Sequence, residues 1–182
     1  MSLRLRIAEL GLPPAVRKRG IRELFELSAR AFETPAPDLA RLNPEEARRV
    51  FARFTHEQAA RLQTDDAARR RIERRLREEA IAFGRRLRRT LGLRTRAQVM
   101  RAARLLYRAI GIDFRSSVAG EIRIPACSFA ETYTSSTCRT IAALDEGLLI
   151  GLAGDGKLSF SARLTEGDPT CRAKFDFPEP GR

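Results

Sequence analysis

Two runs of strict alternation near the C-terminal end constrain this chain most. Leu158, Phe160, Ala162 and Leu164 alternate with Lys157, Ser159, Ser161 and Arg163. After Thr165-Glu166-Gly167-Asp168-Pro169 the pattern resumes, with Cys171, Ala173, Phe175 and Phe177 set against Arg172, Lys174 and Asp176. A period of two marks a half-buried strand. The intervening stretch is a turn, because glycine supplies positive φ and proline blocks further pairing. The two runs therefore predict an antiparallel hairpin with one apolar face, and such a face needs a cover.

The cover lies just upstream. From a cap at Ser136 or Thr137, the residues Cys138, Ile141, Ala142, Asp145, Leu148, Leu149 and Leu152 recur at helical spacing, and Gly151 and Gly154 are read as the helix end. Glu121-Ile122-Arg123-Ile124 is a short strand-like run that Pro125 interrupts, which leads Cys127 toward the same layer from the sheet edge. Gly154-Asp155-Gly156 follows a helix and precedes a strand, the reverse of the order a phosphate loop requires.

The first 112 residues read as helices. Residues 1–12 are a lead carrying Leu3, Leu5, Ile7 and Leu10. Pro13-Pro14 opens a helix running to about Phe32, with Val16, Ile21, Leu24, Phe25, Leu27 and Ala31 as its core candidates and Gly20 weakening its first turns. After the stiff linker Thr34-Pro35-Ala36-Pro37-Asp38, Asn43-Pro44-Glu45-Glu46 has the order of an N-cap, a proline at the first helical position and acids in the first turn. That second helix is read to Gln63, with Ala47, Val50, Phe51 and Phe54 inward. A third begins at Thr64-Asp65-Asp66 and holds Ala68, Ile72, Leu76, Ala80, Phe83, Leu87 and Leu91 on one face, with Gly92 as its cap. A fourth, capped by Thr95, buries Val99, Ala102, Ala103, Leu106, Ala109 and Ile110 and stops at Gly111. Residues 112–120 are read as a connection.

Charge follows the same division. Residues 1–112 carry 27 Lys and Arg against 13 Asp and Glu, a net of +14, whereas residues 113–182 carry 8 against 10, a net of −2. Apart from Lys18, Lys157 and Lys174 every base is arginine, a bias that a GC-rich coding sequence produces. The basic faces are accordingly read as solvated surface, with nucleic acid set aside and polyanion binding through Arg-rich faces kept as an alternative function. No run of about 18 apolar residues spans a membrane, and MSLRLRIAEL carries no signal-peptide stretch, so a cytoplasmic protein is expected. A second copy of the chain is the candidate protein partner.

All three cysteines, Cys127, Cys138 and Cys171, fall in the last third. An odd number in a cytoplasmic chain argues against a disulfide framework and for reduced thiols that are either packed or bound to something. Converging thiolates make zinc or iron–sulfur ligands, with Asp145 or Glu131 completing the set or the fourth position open. Asp145 stands on the inward stripe, where an unpaired carboxylate is costly. It is read either as a partner of an arginine from the helical half or as an acid–base group. Tyr133, with Ser135, Ser136 and Thr137, supplies hydroxyls beside the helix N-terminus for a cofactor or ligand. His56, the sole histidine, lies on a charged helix far in sequence from the cysteines, which disfavours a histidine-containing triad.

The segment from Cys138 through ALDEGLLIGLAGDG and LSFSARLTEGDPTC to Cys171 resembles the C-terminal core of 4-vinyl-reductase-type ligand-binding domains. It is also similar to the L-2-amino-thiazoline-4-carboxylic acid hydrolase family at Cys138, Asp145, Gly167 and Cys171. The resemblance implies helices flanking an antiparallel sheet around a buried small-molecule pocket. In sensor members of the first group cysteines hold zinc beside that pocket. Since no cysteine occurs between Cys138 and Cys171, such a site here would recruit Cys127.

The expectation is thus an α+β protein. Its basic helical region, 1–112, packs with a cysteine-containing α+β core, 113–182, as one compact domain, and the helices lie on a small antiparallel sheet with a covering helix. Its leading function is small-molecule binding in a metal-assisted pocket lined by cysteines. The enzymatic alternative is a hydrolase of small heterocycles or amides, with Cys138 or a metal-bound water as nucleophile and Asp145 as base.

Overall fold

The computed structural model describes residues 14–178; the lead with Leu3, Leu5, Ile7 and Leu10 lies outside them. The fold is α+β. Four helices, α1 (Pro14–Ala31), α2 (Pro44–Ala60), α3 (Asp66–Leu91) and α4 (Arg96–Ala109), precede β1 (Arg115–Ser116) and β2 (Glu121–Ile124). Then follow α5 (Ser135–Ala153), β3 (Lys157–Ala162), a 3-10 turn at Leu164–Glu166 and β4 (Cys171–Asp176). The sheet is antiparallel throughout, in the order β1-β2-β4-β3.

Local chemistry sets the helix ends. Asn43 Oδ1 accepts from the amides of Glu45 and Glu46, while Glu46 Oε2 accepts from the Asn43 amide, closing a capping box ahead of Pro44. Thr95 and Gln98 repeat it at α4. Gly92 ends α3 with φ 65°, a left-handed cap that glycine adopts without steric cost. Within Thr64-Asp65-Asp66 it is Asp65 that caps the start of α3, and α2 ends at Ala60, three residues short of Gln63.

The hairpin is present, but its first strand stops early. A bulge between Phe160 and Ala162 disturbs the β3–β4 register, and the chain then coils into the 3-10 turn, so Leu164 leaves the strand. β2 is an interior strand, pairing Ile122 with Ala173 and Ile124 with Cys171. Cys127 therefore does not enter from a sheet edge: it pairs with Ile112 in an isolated bridge after β2. The connection at 112–120 contains β1, whose two residues are too few for alternation to reveal.

The cover for the sheet turned out to be the centre of the molecule. α5 carries buried residues around most of its circumference, among them Thr137, Thr140, Ile141, Ala143, Leu149 and Leu152, as an interior helix must. Its longest packing is along α3, not along the sheet. Gly151 does not end the helix; it is buried within it, and Gly154 is the cap. A Cβ at Gly84 of α3 would lie 2.7 Å from Leu148 O, and one at Gly151 would lie 2.5 Å from Ile81 O. Glycine at these positions lets the two backbones touch.

One continuous core joins both halves, from Ile21 and Phe25 of α1 to Phe175 of β4. Aromatic contacts run through it in series: Phe25 with Phe51 (4.9 Å between ring centroids), Phe51 with Phe129 (6.0 Å) and Phe129 stacked on Tyr133 (5.5 Å). Each such ring is worth about 1.5–3 kcal/mol of burial. The series fixes the loop before α5, and with it Tyr133. On α4 the stripe differs from expectation: Met100, Leu105 and Tyr107 are buried with Val99, Ala102 and Ala103, while Leu106, Ala109 and Ile110 are only half-buried.

Gly20 offers a contrast with Gly151. An added Cβ there meets nothing within 4 Å, and the residue sits inside α1. Gly20→Ala should raise stability by about 0.5–1 kcal/mol, the usual difference in helix propensity. Chemical denaturation would read it as a higher midpoint with an unchanged slope.

Candidate functional site

Thr134 caps α5, its hydroxyl accepting from the Thr137 amide; the cap is thus two or three residues earlier than Ser136 or Thr137. Thr137, buried, shares a 2.9 Å hydrogen bond with His56 Nδ1 of α2, and the half-buried His56 serves as a tie between helices. Beside it Thr55 Oγ1 lies 2.6 Å from the Tyr133 hydroxyl.

One turn into α5, Cys138 is half-buried, and Arg163 Nη1 donates to its sulfur at 3.8 Å. Arg163 stands at the end of β3, its guanidinium 3.9 Å from the centroid of Phe160 and 3.7 Å from Glu166. Cys171 Sγ accepts from the Leu164 amide at 3.3 Å, so one sulfur rests on Arg163 and another on the next residue. Two turns after Cys138, Asp145 Oδ1 accepts from the Tyr107 hydroxyl of α4 at 2.8 Å. Its partner from the helical half is thus a tyrosine rather than an arginine. The phenolic ring is held by a parallel stack on Phe114 with centroids 4.5 Å apart.

Burial dominates the electrostatics. It pushes the Asp145 carboxyl up to about 6, against the Tyr107 hydrogen bond and the charge of Arg163, both of which favour the ionised form. It also raises Tyr107, Tyr133 and Cys171, and pushes the Cys127 thiol up to about 12, with further increments from Asp145, Cys138 and Cys171. Charge on Asp145 and Cys138 bears on both Cys127 and Cys171.

Ligation by these thiols is another matter. Among the described residues no group of three or more His, Cys, Asp and Glu side chains is disposed to hold a metal ion. Arg163 brings a fixed positive charge against Cys138, the position a zinc ion or iron–sulfur cluster would need. Asp145 is engaged by Tyr107, and Glu131 is exposed. The residues do not fit the metal-assisted design.

What the arrangement does provide is deep accessible surface. Tyr133 and Asp145 are surrounded by protein heavily enough for burial to lead their shifts, as is Cys127. All three, with Cys138, nevertheless keep intermediate solvent accessibility. A cleft of about 200 Å³ lies beside them, between α3, α5 and β3, lined by Arg77, Arg139, Glu146, Phe160 and Arg163 among others. Arg77 Nε is paired there with Glu146 at 2.6 Å. Arg163 borders this cleft and also contacts Cys138. Tyr107 and Arg163 were not singled out from sequence: Tyr107 lies off the apolar stripe assigned to α4, and Arg163 read as one of a strand's outward charges.

Compared with family models, curated proteins and solved structures, the chain matches none of them. No helix among the described residues is long and apolar enough to cross a membrane.

Proposed function

We propose that Cys127, Tyr133, Cys138 and Asp145 border a recess in which the protein binds a small molecule. The observation that carries this reading is the Asp145 carboxyl, deep in the molecule, partly accessible, and bonded by one neighbour at one oxygen. A carboxylate pays heavily for leaving water unless it meets a donor or a cation, so the ligand group that gains most there is a protonated nitrogen. Sulfur and tyrosine walls suit a compact, largely apolar body. The resemblance of the segment from Cys138 to Cys171 to a ligand-binding family carries the same expectation. All three thiols are free, which fits a reducing compartment and hence a cytoplasmic protein.

The test is thermal denaturation with benzylamine and benzamidine, using benzyl alcohol as the uncharged control. The amines should raise the midpoint in a concentration-dependent manner at pH 7.5, and Asp145→Asn should abolish the shift. Equal shifts in both proteins, or none at millimolar amine, would overturn the reading.

A second reading, a hydrolase with Cys138 as nucleophile, is favoured by the Arg163 contact with its sulfur. Asp145 is bonded to Tyr107 rather than to Cys138, so the base would have to reach the thiol through the ligand or a water. Iodoacetamide should then label Cys138 well before Cys127, whose burial holds it protonated. Equal slow labelling of both removes this reading.

A further inference from the structure

The exposed side of α3 carries a charge pattern that the fold does not use. Arg70, Arg71, Arg74, Arg85, Arg86 and Arg89 are all exposed, whereas the buried positions Ile72, Leu76, Ala80, Phe83 and Gly84 form the opposite side against α5. None of these arginines lies within ion-pair distance of a carboxylate among the described residues. The pairs α3 does make, through Arg69, Arg75, Arg77 and Glu79, use its ends and flanks. Along the outermost ridge Arg71, Arg74, Arg85 and Arg89 follow one another over 18 residues, a straight span of about 27 Å at 1.5 Å per residue, with Glu78 as the one acid among them.

GC-rich coding explains why these residues are arginine rather than lysine. It does not explain why they are basic rather than acidic, nor why they gather on one side of one helix. Solvation alone needs neither, since interspersed charges of both signs keep a helix soluble. Like charges in adjacent turns repel, so the pairs Arg71 with Arg74 and Arg85 with Arg89 are a small cost to the helix.

We infer that this ridge of α3 is a docking surface for the phosphodiester backbone of nucleic acid. The row is rigid, extended and cationic, and guanidinium forks match phosphate oxygens in pairs. It exposes no aromatic ring for base stacking, Phe83 being buried, so contact is with phosphates and carries no sequence preference. A membrane surface fits less well, because an interfacial helix sets apolar residues beside its basic ones. Val118, in the turn between β1 and β2, is the large exposed hydrophobic among the described residues.

Fluorescence anisotropy of the full chain with a labelled 24-base-pair DNA duplex of arbitrary sequence, its RNA counterpart and either single strand tests this. About four phosphate contacts predict that affinity falls on the order of 100-fold between 50 and 200 mM salt, equally for unrelated sequences. The DNA and RNA arms identify the source of the phosphates. The triple variant Arg74→Glu/Arg85→Glu/Arg89→Glu should bind at least about 30-fold more weakly. Arg22→Glu/Arg41→Glu/Arg53→Glu, at exposed positions of other segments, makes the same change in net charge and should bind like the parent. Circular dichroism confirms that both variants are folded, and Arg→Gln versions replace either that is not. No binding to any nucleic acid at 50 mM salt, equal loss in the two variants, or binding confined to heparin or anionic vesicles would each overturn the assignment.

Discussion

Gly147→Ala and Gly151→Ala are each expected to destabilise the protein by about 3 kcal/mol or more, a drop of roughly 6–12 °C in the thermal midpoint of a chain this size. Both sit where α5 crosses α3. A Cβ at Gly151 would lie 2.5 Å from Ile81 O and 2.8 Å from Gly84 Cα, and one at Gly147 would run into the Arg77 carbonyl oxygen. These obstacles are backbone, so no rotamer change relieves them. The helices would have to separate along their longest shared contact, opening voids around Leu76, Ala80, Leu148 and Leu152. Gly20→Ala makes the same chemical change in α1 with the opposite expected sign, so the series isolates the crossing from helix propensity. Midpoints of both α5 variants within 2 °C of the parent would mean that the close approach is not what holds α3 to α5.

That crossing shows where the sequence misleads. Glycine stops some helices and lets others touch, and the letters alone do not distinguish the two uses. Gly92, followed by the Thr95 capping box, was read correctly because its neighbours carry independent signals. Gly151 has none, and only the partner Gly84 on another helix reveals its role. Local chemistry was readable wherever cause and effect lie within four residues, as at Asn43-Pro44-Glu45-Glu46. The α+β architecture was readable as well, since alternation and helical spacing change cleanly at Gly154. β1 was not, because a two-residue strand has no period.

The candidate site divides along the same line. Asp145 stood out because an acid on an apolar stripe needs an explanation. Its partner could not be found, since the pairing with Tyr107 joins helices 38 residues apart in sequence. The spacing of the cysteines does not say whether they share a task. Nor does it announce Arg163, whose side chain turns in from the end of β3 toward Cys138 where the bulge breaks the strand's alternation.

Asp145→Asn should make the protein more stable at neutral pH, by about 2 kcal/mol, while removing amine binding. The carboxyl is moved from its usual value near 3.8 up to about 6 because burial penalises the charge, so the folded state takes up its proton more readily than the unfolded chain does. Below about pH 3 both states hold that proton and the group is neutral toward folding. As pH rises from about 4 to 6 the unfolded chain loses the proton first, and stability falls; above about 6 the loss is complete and levels off at roughly 2–3 kcal/mol, each pH unit costing about 1.4 kcal/mol. Asparagine has no charge to desolvate, and its carbonyl oxygen can still accept from the Tyr107 hydroxyl. The variant should thus match the parent at about pH 3 and melt roughly 4–8 °C above it at pH 7.5. Other carboxylates titrate alike in both proteins, so the difference between the two curves reports Asp145 alone. A difference that stays flat from pH 4 to 7.5, or a variant that is less stable at pH 7.5, would show that the carboxylate is not under desolvation stress. With that stress gone, there would be no reason for a cationic ligand to seek it. If the variant is instead more stable and no longer binds amine, the parent is holding a costly buried charge whose compensation comes from what it binds, the usual relation between a strained site and its function.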